Sequence, residues 1–142
     1  CPAEAIEAAD VKSIPSTEEL FKTSDIISLH IPATPETVKS INATLVGSMK
    51  KNAILINTAR KEVIDEQQLI ATLSEREDLK YISDIKPDAD AEFTAKFPGR
   101  YFATPKKMGA QTAEANVNAG IAAANQIVGF LNEGIKKFQV NK

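Results

Sequence analysis

The chain has 142 residues, with 43% hydrophobic and 25% charged residues and a formal net charge of −2. That is enough for one domain with a sizeable core, and ordinary for a globular protein. The near-neutral balance leaves no basic footprint for nucleic acid or for an anionic membrane surface, so neither is expected as a partner. Cys1 is the only cysteine, which excludes an internal disulfide and fits a reducing cytoplasm. No apolar run is long enough to span a membrane, and no metal site is expected. Cys1-Pro2-Ala3-Glu4 is neither a signal peptide nor a natural initiation, so the sequence reads as starting inside a longer one.

Residues 2–9 are rich in Ala and Glu and suggest a short helical turn, and Val11 to Ile14 suggests a brief strand. Ser16 with Glu19 is a capping-box pattern that opens a helix through Lys22, with Leu20 and Phe21 expected inward. Ile26 to Ile31 reads as a strand stopped by Pro32, followed by a loop through Pro35. His30, the only histidine, stands at its end, where a structural role is the simpler expectation. Asn42-Ala43-Thr44 matches a glycosylation acceptor by chance; Asn42 more naturally caps a helix from Ala43 to Met49, with Leu45, Val46 and Met49 inward.

Ala53-Ile54-Leu55-Ile56 is short, continuous and apolar, the pattern of a strand buried on both faces of a parallel sheet. It runs into Asn57-Thr58-Ala59-Arg60. Loops after such strands lie at the carboxyl edge of the sheet, where open α/β folds bind ligands. Arg60 is therefore either an anion receptor, its planar fork matching a carboxylate or phosphate, or a surface arginine in a turn.

Asp65 with Gln68 caps a helix to about Glu75, with Leu69, Ile70 and Leu73 at helical spacing. Leu79 to Ile85 reads as the next strand. Asp84, near its end, is either a ligand contact or a hydrogen-bonded structural group, because an unpaired buried acid is costly. Lys86 to Arg100 reads as a polar loop of fifteen residues, a length that points to function or mobility. Tyr101 to Thr104 is a last short strand. A tight loop, Thr104-Pro105-Lys106-Lys107-Met108-Gly109-Ala110, leads to a long helix from Gln111 or Thr112 to about Asn132. Its stripe is Val117, Ile121, Ala124, Val128 and Leu131, and Gly134 stops it. Ile135 to Lys142 could add a small strand. The alternation predicts an α/β fold: the second half of a doubly wound, Rossmann-like parallel sheet, with helices on both faces and a long C-terminal return helix. There is no Gly-x-Gly-x-x-Gly.

Several stretches together carry a resemblance: Ser28-Leu29-His30-Ile31-Pro32, Thr34-Pro35-Glu36-Thr37, Met49-Lys50, Ile54 to Arg60, Val63-Ile64-Asp65, Asp84, Thr104-Pro105 and Gly109-Ala110-Gln111-Thr112. In order and spacing they are similar to the D-isomer-specific 2-hydroxyacid dehydrogenases over roughly residues 20–131, and within that family to the short-type D-3-phosphoglycerate dehydrogenases. The resemblance implies residues 1–111 as the C-terminal part of an NAD-binding domain. It implies 112–142 as a closing helix and tail returning to a substrate domain that this chain lacks. The Gly-rich phosphate loop and the acidic ribose contact would lie upstream of Cys1, so NAD rather than NADP is a family expectation.

The resemblance further implies Arg60 as the catalytic arginine that holds the substrate carboxylate and carbonyl oxygen, at the nicotinamide end. Thr58 and Ala59 would approach the nicotinamide through the backbone, and Asp84 would accept from its carboxamide. His30 and Pro32 would belong to the loop over the adenosine end, and Lys106 and Gly109 would also contact the cofactor. Lys61 replaces a glycine and adds a positive charge at the mouth. The family's acid/base pair, a histidine after Thr-Pro and a glutamate, is absent: Lys106 follows Pro105, and Ala89-Asp90 stands where the glutamate-proline pair would fall. Either Lys106 takes the proton role (with Lys107 as the fallback), or the protein binds cofactor without catalysis as a sensor or scaffold. Another D-2-hydroxyacid dehydrogenase, such as a glyoxylate/hydroxypyruvate reductase, is a further alternative. The implied whole protein is a cytoplasmic homodimer acting on a small 2-hydroxy or 2-oxo acid, and this piece alone is not expected to turn over.

Overall fold

The computed structural model describes residues 11–105 and 112–137, together with Ile6 and Ala9. The chain divides into two compact units, Cys1–Lys106 and Lys107–Lys142. The expected turn over residues 2–9 lies almost entirely outside the described residues.

In the first unit, helix α1 (Thr17–Thr23) starts where Ser16 Oγ accepts from the Glu19 backbone N–H at 3.1 Å. Only Phe21 turns inward; Leu20 is 38% exposed, because adjacent helical positions point about 100° apart. Strand β1 (Ile26–Leu29) follows, two residues shorter than expected. Helix α2 (Ala43–Gly47) is capped by Asn42 Oδ1 on the Leu45 N–H at 3.2 Å. It closes early because Ser48 and Met49 donate to the carbonyls three residues back, a tightened last turn that still buries Met49. Strand β2 (Ile54–Asn57) leads through a 3-10 turn, Lys61–Val63, to helix α3 (Glu66–Glu75), capped by Asp65 on the Gln68 N–H at 3.1 Å. Strand β3 (Lys80–Ser83), helix α4 (Asp90–Lys96) and strand β4 (Tyr101–Ala103) complete the unit.

The four strands are all parallel and stand in chain order, β1-β2-β3-β4. Each crossover carries the chain one strand further in the same direction. Right-handed crossovers in sequential order put every connecting helix on the same face. The core accordingly lies on one side of the sheet, where Ile27, Leu29, Leu55 and Tyr81 meet Phe21, Val46, Leu69, Leu73, Phe93 and Phe97. The expectation of helices on both faces is thus corrected for this unit. So is full burial of β2: Leu55 is buried, but Ile54 and Ile56 on the other face are only half-buried. One-sided helices are what one half of a doubly wound sheet has, since its two halves wind in opposite directions.

Two other expectations fail. Residues 11–14 form no strand; Val11 and Lys12 are exposed and find no neighbouring strand to pair with. The Lys86–Arg100 stretch is not a structureless loop but contains α4. Phe93 and Phe97 are one helical turn apart and both buried, and Phe93 stacks on Tyr101 with ring centroids 5.0 Å apart and tilts against Tyr81 at 5.5 Å. Glu92 and Lys96 pair along the exposed side at 2.7 Å. Arg76 ties the far edge together, donating to the carbonyls of Gly47, Met49 and Lys50 and pairing with Asp78.

The second unit is helix α5 (Ala113–Glu133), capped by Thr112 Oγ1 on the Ala115 N–H at 3.1 Å. Gly134 ends it at φ 67°, a left-handed conformation in which glycine carries no Cβ penalty. Ile135 to Lys137 add no strand, and the rest of the expected tail strand lies outside the described residues.

Candidate active site

Parallel register aligns Leu29, Asn57 and Ser83, with Ala103 beside Ser83, as the last residues of their strands. The next residue on each strand is His30, Thr58, Asp84 and Thr104. These four form a row along the carboxyl edge, at the ~4.8 Å strand spacing. The row is stitched together by the backbone: Asp84 N–H donates to Asn57 O at 2.9 Å and Thr104 N–H to Ser83 O at 3.0 Å. Thr104 Oγ1 also donates to Asp84 O at 2.7 Å.

At one end, Thr58 Oγ1 donates its single proton to Leu29 O at 2.9 Å. Towards His30 Nδ1, 3.1 Å away, it can therefore only accept, so the neutral ring carries its proton on Nδ1. Nε2 then accepts from Ser28 Oγ at 2.9 Å. Both ring nitrogens are occupied in holding β1 to the loop after β2. His30 thus clasps the end of β1 to the loop after β2. Pro32 O, in the same loop, accepts from Thr37 Oγ1 at 2.6 Å, which folds the Pro32–Thr37 segment on itself.

Asn57 is 0% exposed. Its Oδ1 accepts from Ala59 N–H at 3.0 Å, and its Nδ2 donates to Arg60 O at 3.0 Å. Ser83, its neighbour across the register and also buried, donates from Oγ to Ile85 O at 2.7 Å. Each strand thus ends in a buried polar side chain that bends its own loop. The Arg60 backbone is extended (φ −128°, ψ 146°), its side chain is exposed, and among the described residues its guanidinium has no partner. The Asp84 carboxylate likewise has no partner among the described residues. An uncommitted cation and an uncommitted anion therefore sit at the ends of adjacent strands.

Nearby charges are already committed. Lys61 pairs with Asp88, and that hydrogen bond raises its pKa, so it stays cationic with its charge largely answered. It does not present the free positive charge expected at the mouth. Glu66, at the start of α3, accepts from Asp88 N–H at 3.0 Å and Ala89 N–H at 2.8 Å, fastening the loop after β3. Asp90 pairs with Lys86 at 2.9 Å and accepts from Tyr101 O–H at 2.7 Å; Lys86 first, then Tyr101, hold its carboxyl below the usual range. Burial and that same bond push the Tyr101 phenol well up. A groove of about 320 Å³ beside this strap is lined by Glu62, Asp65, Glu66 and Asp88 against Lys39 and Lys61, a poor match for an anionic substrate, and Arg60 is not part of it. Lys106, Lys107 and Gly109 lie outside the described residues. Asn57 is the site residue that sequence reading passed over. The available signal was a polar side chain closing an otherwise apolar strand.

Residues 2–98 match the family model of the D-isomer specific 2-hydroxyacid dehydrogenase, NAD binding domain. The chain belongs to this family. It is 33% identical to the D-3-phosphoglycerate dehydrogenase of Haemophilus influenzae over 138 residues, covering 93% of this chain and 33% of that protein. It is 34% identical to the Methanocaldococcus jannaschii D-3-phosphoglycerate dehydrogenase over 143 residues, covering 99% and 27%. Among solved structures it is similar to the NAD+-bound 3-phosphoglycerate dehydrogenase of Entamoeba histolytica, with TM-score 0.79, 50% identity, and coverage of 91% of this chain and 42% of that one. The chain therefore spans a third or less of these two curated relatives. In a 2-hydroxyacid dehydrogenase NAD-binding domain, the carboxyl-edge row of His30, Thr58, Asp84 and Thr104 faces the region where α/β sheets take their ligands. Among the described residues, no helix is long and apolar enough to cross a membrane.

Proposed function

We propose that this chain is the nicotinamide-side part of an NAD-dependent D-2-hydroxyacid oxidoreductase that interconverts 3-phosphoglycerate and 3-phosphohydroxypyruvate, the entry to serine biosynthesis. The observation that carries the reading is the placement, at the ends of adjacent strands, of an Arg60 guanidinium and an Asp84 carboxylate that have no partner among the described residues. The phosphoglycerate dehydrogenase relatives support the substrate.

These residues suit a nicotinamide and a 2-oxo acid. Asp84 offers an anionic acceptor for a carboxamide N–H. Arg60 offers a forked cation for the substrate carboxylate, with its charge also drawing on the carbonyl oxygen. The nicotinamide, when bound, supplies or takes the hydride. The Ala59 N–H already belongs to Asn57 and its methyl group packs against the core, so its backbone offers a nicotinamide no N–H. His30 and Pro32 shape the neighbouring loop, and Gly109 is a further cofactor contact of this reading.

Proton transfer falls to Lys106. An unperturbed lysine has a pKa of about 10.4, so at neutral pH it is an acid rather than a base. Its ammonium can deliver a proton to the carbonyl oxygen as the hydride arrives at carbon, which favours reduction of the 2-oxo acid. Oxidation would then need alkaline pH. In the whole protein, Lys106→Ala is expected to lower kcat for reduction by roughly 10²–10⁴-fold, the usual weight of general acid catalysis. Full turnover by that variant overturns the assignment.

One observation favours a second reading, binding of cofactor without turnover. Asp90, the acid nearest the place of the missing glutamate, is bound to Lys86 and Tyr101 and is not free to charge a proton donor. The near-neutral charge and single cysteine support a cytoplasmic protein without nucleic-acid or membrane partners, and a homodimer is the assembly we expect by size-exclusion with light scattering.

A further inference from the structure

We propose that Asn57 is a positioning residue for substrate binding: its buried amide clamps the Ala59–Arg60 backbone and so sets where the Arg60 guanidinium stands. This rests on the reading of Arg60 as the carboxylate receptor.

A buried amide without partners is costly, so its bonds show what it is for. Asn57 sends two bonds into its own following loop, one as acceptor and one as donor: Ala59 N–H to Oδ1 and Nδ2–H to Arg60 O, each at 3.0 Å; its amide also faces the Tyr81 hydroxyl. Two short rings close over residues 57–60. A side chain must offer both a donor and an acceptor at this reach to make them. Asp lacks the donor, Leu lacks both, and Gln is one methylene longer.

The geometry separates this role from general support of the strand. The β2 backbone is already held in register by β1 and β3. Thr58 is anchored independently, through its hydroxyl to Leu29 O. Asn57 holds the next step of the chain, Ala59 and the base of Arg60; the Arg60 carbonyl accepts besides only the longer Val63 N–H bond, at 3.4 Å, among the described residues. The Arg60 side chain has no partner of its own among the described residues, so its aim derives from its backbone. Ser83 bends the neighbouring Asp84 loop through a single bond to Ile85 O; Asn57 uses two.

The test uses the whole protein and two variants. Asn57→Leu removes both prongs at every pH. Asn57→Asp keeps the acceptor for Ala59 N–H but, when ionised, turns a second oxygen on the Arg60 carbonyl. When protonated, its O–H restores the missing donor. The expected result for Asn57→Asp is a KM for 3-phosphohydroxypyruvate raised roughly tenfold to a hundredfold at neutral pH, the scale of a misplacement near 1 Å. The ratio to wild type should fall back as the pH is lowered, with the Kd for NADH unchanged. Merely structural damage gives no such acid rescue. Hydrogen exchange provides a readout independent of turnover: the Ala59 amide should lose protection in Asn57→Leu while Leu55 and Tyr81 keep theirs. Unchanged Ala59 protection in Asn57→Leu, or wild-type KM in both variants, overturns the proposal. A wild-type protein that reduces no 2-oxo acid overturns the activity reading and the positioning role with it, while Ala59 exchange still reports separately whether the clamp exists.

Discussion

Replacing Arg60 separates function from stability with unusual clarity. Its guanidinium is exposed and has no partner among the described residues, so truncation removes no hydrogen bond or ion pair among them. A surface change of this kind moves stability by no more than ~0.5 kcal/mol. Its role in the proposed site is a forked, charge-assisted contact to a carboxylate, with added pull on the carbonyl oxygen in the transition state. Single hydrogen bonds to charged groups are worth ~1.5–3 kcal/mol, and loss of one oxyanion contact ~2.7–4 kcal/mol. Arg60→Ala should therefore lower kcat/KM by roughly 10²–10³-fold, since each 1.36 kcal/mol is tenfold. Arg60→Lys should recover part of this, because a point charge returns without the fork. The assay is steady-state reduction of 3-phosphohydroxypyruvate by NADH, alongside urea unfolding. Loss of several kcal/mol of stability, or kcat/KM within threefold of wild type, refutes the reasoning.

Phe93 is 0% exposed and stacks on Tyr101, so Phe93→Ala should cost ~3–5 kcal/mol in urea unfolding and release α4. Thr58→Val keeps the shape but leaves Leu29 O without its donor and His30 Nδ1 without its acceptor; nitrogen NMR of the His30 ring should show loss of the single Nδ1–H tautomer. The hydrogen bonds from Arg76, above all, hold the Asp78 carboxyl well below the usual carboxylate range. Because its folded pKa is depressed, its contribution to stability is present above the unfolded value of about 3.9 and is lost as pH falls through the folded one. Asp78→Asn should accordingly flatten the acid limb of the stability profile in urea unfolding.

Elements with a short-range signature were legible in the sequence. Ser16, Asn42 and Asp65 each cap a helix within three residues of themselves, and each does so in the structure. The apolar run into Asn57 showed β2, and the order of strands showed the parallel sheet. Helix α4 was not legible because only Phe93 and Phe97 mark it, and their partners, Tyr81 and Tyr101, come from other strands. The half-buried second face of β2 was hidden for a related reason. A continuous apolar run says that a strand can be buried on both sides, whereas the order of the crossovers decides which side the helices cover. Within the site, Arg60 and Asp84 stood out as charges at strand ends. The commitment of Lys61 to Asp88 and of Asp90 to Lys86 and Tyr101 depends on loops meeting across the edge, which spacing along the chain does not show.

The most direct measurement is NADH oxidation by the whole protein with 3-phosphohydroxypyruvate, followed from neutral to alkaline pH. The account predicts turnover that is strongest as reduction near neutral pH and weakens as a lysine acid deprotonates. Tight NADH binding with no turnover at any pH contradicts it.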